Sequence, residues 1–127
     1  MSEYVLDSSA LLAVMHEESG ADVVEKILDR CVVSAVNLSE TIGKLAIAGA
    51  PPHDALDVVS DMVQSIIPFN TDIALIAGRL TPHARSLGLS FGDRACLATA
   101  EYLNMEAVTA DKVWNKLKGA VKVKVIR

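Results

Sequence analysis

The stretch "YVLDSSALLAV", residues 4–14, decides how the rest of the chain is read. Its first residues are apolar and β-prone, Asp7 follows at once, and beyond two serines apolar residues return at helical spacing. That is the pattern of a buried strand handing directly into a helix, with a carboxylate at the handover. In an open parallel sheet, ligands bind in the crevice beyond the carboxyl ends of the strands. Asp7 stands at such an end, although Asp is also a good helix N-cap and that role alone would account for it.

Working outward, short apolar runs at 4–7, 31–35, 66–69, 106–110 and 121–126 read as strands. Between them lie helical patterns near 9–17, 20–30, 37–49, 52–65, 71–87, 91–104 and 112–118, several opened by Ser, Asn, Asp or Pro. Strands separated by helices predict a single three-layer α/β/α sandwich over residues 1–127, with a central, mostly parallel five-stranded sheet. The strict alternation of the final "VKVKVI" suits a half-exposed edge. The sharpest break, "GAPPH" at 49–53, reads as a helix stop followed by a proline helix start.

A chain of 127 residues, 51% hydrophobic and 22% charged, suffices for one well-buried core. No run approaches the roughly 18 apolar residues of a membrane span, and the start lacks a basic segment followed by an apolar one. The expectation is a soluble, cytoplasmic protein with no membrane partner. Cys31 and Cys96 lie far apart within apolar patterns and read as reduced core thiols, and His16, His53 and His83 read as surface positions. None of these has the spacing of a zinc site.

The net charge of −4 argues against gripping nucleic acid by bulk positive charge. Its distribution is uneven. Everything basic after Asp111 (Lys112, Lys116, Lys118, Lys122, Lys124 and Arg127) is unopposed by acid, whereas the first 111 residues carry a net of −10. A polyanion site and a merely solvated helix face with an edge strand both fit that edge.

Three further carboxylates share the position of Asp7. Asp111 follows the fourth strand, and capping explains it equally well. Asp93 belongs to "SFGD", Ser90–Asp93, which has the spacing of a capping box. At about 100° per residue, however, Asp93 lines up with Cys96, Leu97 and Ala100, the apolar stripe of its helix. Glu40 falls with Val36, Gly43 and Ile47, while Leu38, Ile42 and Leu45 form an opposite stripe, so the helix reads as buried on two sides. A surface pair with Lys44 is the other reading of Glu40.

Brought together, four carboxylates would repel one another and some would take up protons, unless a hard divalent cation held them. Mg²⁺ or Mn²⁺ suits an all-oxygen set with no accompanying histidine or cysteine, and the matching reaction is metal-assisted phosphodiester hydrolysis. Ser8 and Thr109, hydroxyls flanking Asp7 and Asp111, either orient a carboxylate or serve as a cap and a strand-end hydroxyl. Receiver-type, haloacid-type and dinucleotide-binding readings fail: no adjacent acidic pair follows the first strand, position 9 is Ser9 rather than an acid, and "DSSA" is not glycine-rich.

On "YVLDSSALLAV", "SAVNLSETIGKL", "LGLSFGDRACLATA" and "VTADKVW", in order from Tyr4 to Trp114, the chain resembles the PIN-domain nucleases. Within them it is similar to the VapC-type toxins of type II toxin-antitoxin pairs. The resemblance implies a Mg²⁺- or Mn²⁺-dependent endoribonuclease with catalytic, metal-holding acids at Asp7, Glu40, Asp93 and Asp111. It implies a structured RNA substrate, transfer or ribosomal, whose cleavage arrests translation. It also implies a homodimer, a higher assembly with antitoxin, and a VapB-type antitoxin whose tail covers the acidic site, often with an arginine. A housekeeping PIN-domain RNA-processing nuclease and a non-catalytic PIN-like RNA-binding subunit are the alternatives. Many relatives carry a further acid where this chain has Val113, and close relatives often show aspartate where Asn70 stands, a position that reads as a helix cap. Basic residues that would meet RNA are Lys44, Arg79, Arg85, Arg94, Lys112 and Lys116, with plain surface charge as the competing reading.

Overall fold

The computed structural model describes residues 1–119 and 121–127. Five strands, β1 (Tyr4–Leu6), β2 (Cys31–Ser34), β3 (Ser65–Ile67), β4 (Glu106–Thr109) and β5 (Val123–Val125), form one sheet in the order β3-β2-β1-β4-β5. Every pairing is parallel, including the edge strand β5, so the sheet is wholly rather than mostly parallel. β1 is central: the chain first builds outward through β2 and β3, then crosses back to lay β4 on the other side. The crevice of such a fold opens where the direction of building reverses, at the carboxyl ends of β1 and β4.

Pleating divides each apolar strand between two cores. Leu6, Val33 and Val108 pack with residues of helices α1 (Ser8–Met15), α2 (Ala21–Glu25), α3 (Ala35–Ile47) and α4 (Pro52–Met62). Val5, Val32 and Ala107 pack on the opposite face with Cys96, Leu97 and Ala100 of α7 (Phe91–Leu103), Ala84 of α6 (Thr81–Ser86) and the buried Trp114. A third cluster, Ile73, Ala77 and Ala98, fastens α5 (Thr71–Arg79) to α7. These layers are the α/β/α sandwich. Cys31 and Cys96 are free, buried thiols, and His16, His53 and His83 are all exposed.

Several boundaries differ from the sequence reading. The pattern over 71–87 is two helices, because Pro82 has no N–H for the carbonyl of Gly78 and restarts the chain as α6. The pattern over 20–30 is helical only through Glu25 and then tightens into a 3-10 turn at Leu28–Arg30 that delivers the chain into β2. The pattern over 112–118 is likewise a 3-10 turn, Lys112–Lys116. β3 ends before Pro68, and β5 is half-buried at all three positions rather than alternating.

Helix α3 starts at Ala35, immediately after β2, with Ser34 as its cap. It is not buried on two sides. Its buried residues are Asn37, Leu38 and Thr41, all in its first half, while Gly43 is exposed and Ile47 is 90% exposed. Glu40 thus lies on a half-open face near the end that touches α7. Asn70 caps α5, its side chain accepting the Ile73 N–H at 2.9 Å.

Candidate active site

Asp7 is the best-fixed of the four acids. It directly follows β1 in extended backbone, and only 3% of its surface is exposed. Pleating puts it on the side of Val5, the side covered by α7. Its Oδ1 accepts the Ser9 hydroxyl at 2.7 Å and the Ala10 N–H at 2.9 Å; its Oδ2 accepts the Thr109 hydroxyl at 2.6 Å. The capping reading is therefore correct, and it describes only one of three bonds.

The hydroxyl that reaches Asp7 from α1 belongs to Ser9, whereas Ser8 is buried and makes no side-chain hydrogen bond among the described residues. Ser9 Oγ also accepts the Ala110 N–H at 2.9 Å, and Thr109 Oγ1 accepts the Asp111 N–H at 3.1 Å. Each hydroxyl spends its one proton on a different oxygen of Asp7 and uses a lone pair to hold the backbone after β4. The ends of the two central strands are thereby tied through one carboxylate.

Burial pushes the Asp7 carboxyl up to about 6 against the pull of its hydrogen bonds, and the charge of Asp93 raises it further. The Cys96 thiol beneath it donates to the Val5 carbonyl at 3.7 Å. Burial raises that thiol well above its ordinary range, and the charges of Asp7, Asp93 and Glu40 raise it more. The charges of three of the four acids thus reach one buried thiol on α7.

Asp93 completes the capping box that "SFGD" predicts, its Oδ2 accepting the Ser90 N–H at 2.8 Å while Ser90 Oγ accepts the Asp93 N–H at 3.2 Å. Its helical stripe is nonetheless the inward one, since Cys96, Leu97 and Ala100 are all buried. Glu40 forms no ion pair with Lys44 among the described residues. Its Oε1 instead accepts the Asn37 amide at 2.9 Å, and the same Asn37 Nδ2 reaches the Gly92 carbonyl at 3.1 Å. A Cβ at Gly92 would collide with the Glu40 carboxylate, so glycine there leaves room for that carboxylate against α7. Asn37 is 1% exposed, and its Oδ1 has no hydrogen-bond partner among the described residues.

Ser9, Asn37 and Gly92 are the contributors that the sequence reading passed over. Ser9 adjoins Ser8 and is chemically its equal, and Asn37 has a readable signal: an amide three residues before Glu40, one helical turn away.

Asp111 is the outlying member. It is exposed, it caps the following 3-10 turn by accepting the Val113 N–H at 3.0 Å, and it joins Asp7 only through Thr109. Among the described residues no three His, Cys, Asp or Glu side chains are gathered at metal-ligand distances. The donor chemistry still suits a hard cation that takes one or two carboxylates directly and the rest through water. Glu40, Asp93 and Asp111 each accept at one oxygen and leave the other without a protein donor among the described residues. Asn37 Oδ1 adds a buried acceptor with an unmet need for a donor or a cation.

Of the basic candidates, Lys44, Lys112 and Lys116 are exposed, as is Arg85. Arg79 pairs with Glu101. Arg94 is committed internally: its Nη1 donates to the Ala77 carbonyl at 3.2 Å and the Thr81 hydroxyl at 2.9 Å, and its guanidinium lies over the Phe91 ring. No helix among the described residues is long and apolar enough to cross a membrane.

The PIN domain family matches residues 4–120. Among solved structures, the chain is similar to a toxin-antitoxin complex from Klebsiella pneumoniae, at 18% identity over 98% of each chain with a TM-score of 0.76. It is similar to VapBC-5 from Mycobacterium tuberculosis, a member of the VapBC family of toxin-antitoxin systems, at 25% identity over 100% of this chain and 99% of that one, TM-score 0.63. It is also similar to VapC20 of the same organism, a Sarcin-Ricin loop cleaving toxin, at 14% identity over 94% of this chain and 98% of that one, TM-score 0.69. No curated protein matches the chain.

Proposed function

Because the chain belongs to the PIN domain family, we propose that it is the toxin of a toxin-antitoxin pair, an endoribonuclease that requires a divalent cation and is silenced by a VapB-type antitoxin. The observation that carries this reading is Asp7: a buried carboxylate with a raised proton affinity, held by three hydrogen bonds at the reversal point of a parallel sheet and within reach of the charge of Asp93. A helix cap alone would have no use for a second acid in the same field. A cation offsets the desolvation and repulsion that Asp7 otherwise bears.

Mg²⁺ or Mn²⁺ held by Asp7, Asp93, Glu40 and Asp111 would supply Lewis-acid assistance to phosphodiester hydrolysis. The chain's own residues do the positioning. Ser9 and Thr109 fix both oxygens of Asp7, the Asn37 amide holds one oxygen of Glu40, and the Ser90 N–H orients Asp93. Lys112 and Lys116, exposed just beyond Asp111, and Lys44 on α3 are free to meet RNA phosphates. The same acidic cluster suits an arginine from an antitoxin tail, which brings a permanent positive partner and competes with the cation.

Cleavage of a folded transfer or ribosomal RNA, with Mg²⁺ or Mn²⁺ titrated in, tests the proposal. The expected result is cleavage that depends on cation and is abolished in Asp7→Asn and Asp93→Asn. Cleavage that persists in EDTA with both substitutions would sink the reading. A short reading frame for a DNA-binding antitoxin beside this one supports the toxin role, and induced expression without it should stop growth.

A further inference from the structure

Aromatic residues make up only 4% of the chain, and both of its phenylalanines are found at one place. Phe69, in the loop beyond the carboxyl end of β3, packs edge-on against Phe91, the first residue of α7, with ring centroids 5.6 Å apart and planes at 78°. Phe91 is nevertheless 50% exposed. A large apolar ring left half in water at a helix start contributes little to folding, yet this one is held firmly. Arg94 lies 5.4 Å from its centroid, and the guanidinium is itself fixed by Ala77 and Thr81.

The position is as telling as the exposure. Phe91 immediately precedes Gly92, whose missing Cβ makes room for Glu40, and Asp93, whose charge is felt by Asp7. The ring is thus on the same rim as the acids, at the carboxyl end of the sheet. Single-stranded RNA is commonly recognised by aromatic side chains and Arg planes that stack unpaired bases. We infer that Phe91, braced by Phe69 and Arg94, is a base-stacking subsite that holds an unpaired nucleobase of the RNA beside the acidic centre. This rests on the ribonuclease reading for its substrate class. It gives Arg94 a different role from a phosphate contact, namely keeping the ring in place.

A stem-loop RNA with 2-aminopurine in its loop is the probe, and binding and cleavage are measured separately with the full chain. Binding is followed in EDTA by anisotropy and by quenching of the 2-aminopurine, and cleavage is followed with Mg²⁺ or Mn²⁺. Stacking is worth about five-fold or more in affinity per base. Phe91→Leu should weaken binding by at least about that factor and remove the quenching. Phe91→Trp and Phe91→Tyr should restore both, and in cleavage the loss should appear in KM with kcat little changed. Melting temperatures of the three variants control for folding. Wild-type-like affinity and quenching in Phe91→Leu would overturn the subsite, as would wild-type protein that shows neither binding nor quenching. Quenched, Phe91-dependent binding without any cleavage would instead support the subsite and contradict the nuclease reading.

Discussion

Two parts of the acidic rim are built on different physics. At its centre Asp7 is almost wholly buried, bonded at both oxygens and raised to about 6, mainly by desolvation. Around it, Glu40, Asp93 and Asp111 are half-open or exposed, and each is held by a single donor from its own helical segment. A centre of the first kind is fixed at the cost of stability. Groups of the second kind are oriented cheaply, by the same bonds that cap helices, and keep an oxygen available. An acidic site needs both, because a fixed carboxylate sets position and the adaptable ones accommodate what binds.

The most damaging way to disturb this division is at its centre. Asp7→Asn should lower RNA cleavage by about a hundredfold or more, several kcal/mol of transition-state stabilisation. The same substitution should also free the cation-free protein of a loss of stability that grows as pH rises toward neutral. Asp7 binds its proton more tightly when folded (about 6 against 3.8), so its share of stability is full below pH 3.8 and falls as pH rises through about 6. The stability of Asp7→Asn relative to wild type, from denaturant melts in EDTA, should therefore rise by ~3 kcal/mol between pH 4 and pH 7.5, above a pH-independent loss from the Thr109 hydroxyl, whose proton the amide NH2 cannot accept.

Gly92→Ala strikes the contact between rim helices. Its Cβ must displace the Glu40 carboxylate, the far end of a flexible and half-exposed side chain, so with better helix propensity stability should stay within about 1 kcal/mol of wild type. Cleavage should nonetheless fall, whereas the centre should keep its pH dependence. Thr109→Val leaves Asp7 Oδ2 and the Asp111 N–H without their partner, a loss of about 1–3 kcal/mol in the same melts. It should also move the pH midpoint of the Asp7 effect upward, since one of the bonds that lowers its proton affinity is gone.

The smallest effect on stability separates capping from chemistry at the rim. Asp111→Ala removes a cap and should cost about 1 kcal/mol. Asp111→Asn keeps the cap and should melt within about 0.5 kcal/mol of wild type. Both should lower cleavage. An Asn variant with full cleavage would reduce Asp111 to a cap.

How much of this was legible in the sequence follows the same division. The central strands were readable because a strand buried on both faces is a continuous apolar run, and Asp7 stood out against that background. The capping signals at Ser90, Asn70 and Asp111 were also readable, since a cap depends on residues within one turn. What the sequence did not disclose depends on contacts across the fold. Ser8 and Ser9 are chemically equal neighbours, and only the approach of β4 gives Ser9 both Asp7 and the Ala110 N–H to bond. The apolar stripe through Glu40 and Ile47 reads as buried because periodicity marks a face without showing how far along it tertiary packing extends, and here Gly43 and Ile47 are exposed. Pro82 splits a pattern whose apolar spacing continues unbroken across it.

The most direct test of the site itself is Mn²⁺ binding, measured by the loss of the free-ion signal in electron paramagnetic resonance, for wild type, Asp7→Asn and Asp93→Asn at pH 7.5. The acids acting as one cation centre anchored by Asp7 predict binding by wild type and its loss in both variants. Mn²⁺ binding undiminished in Asp7→Asn, or absent from wild type, would contradict it.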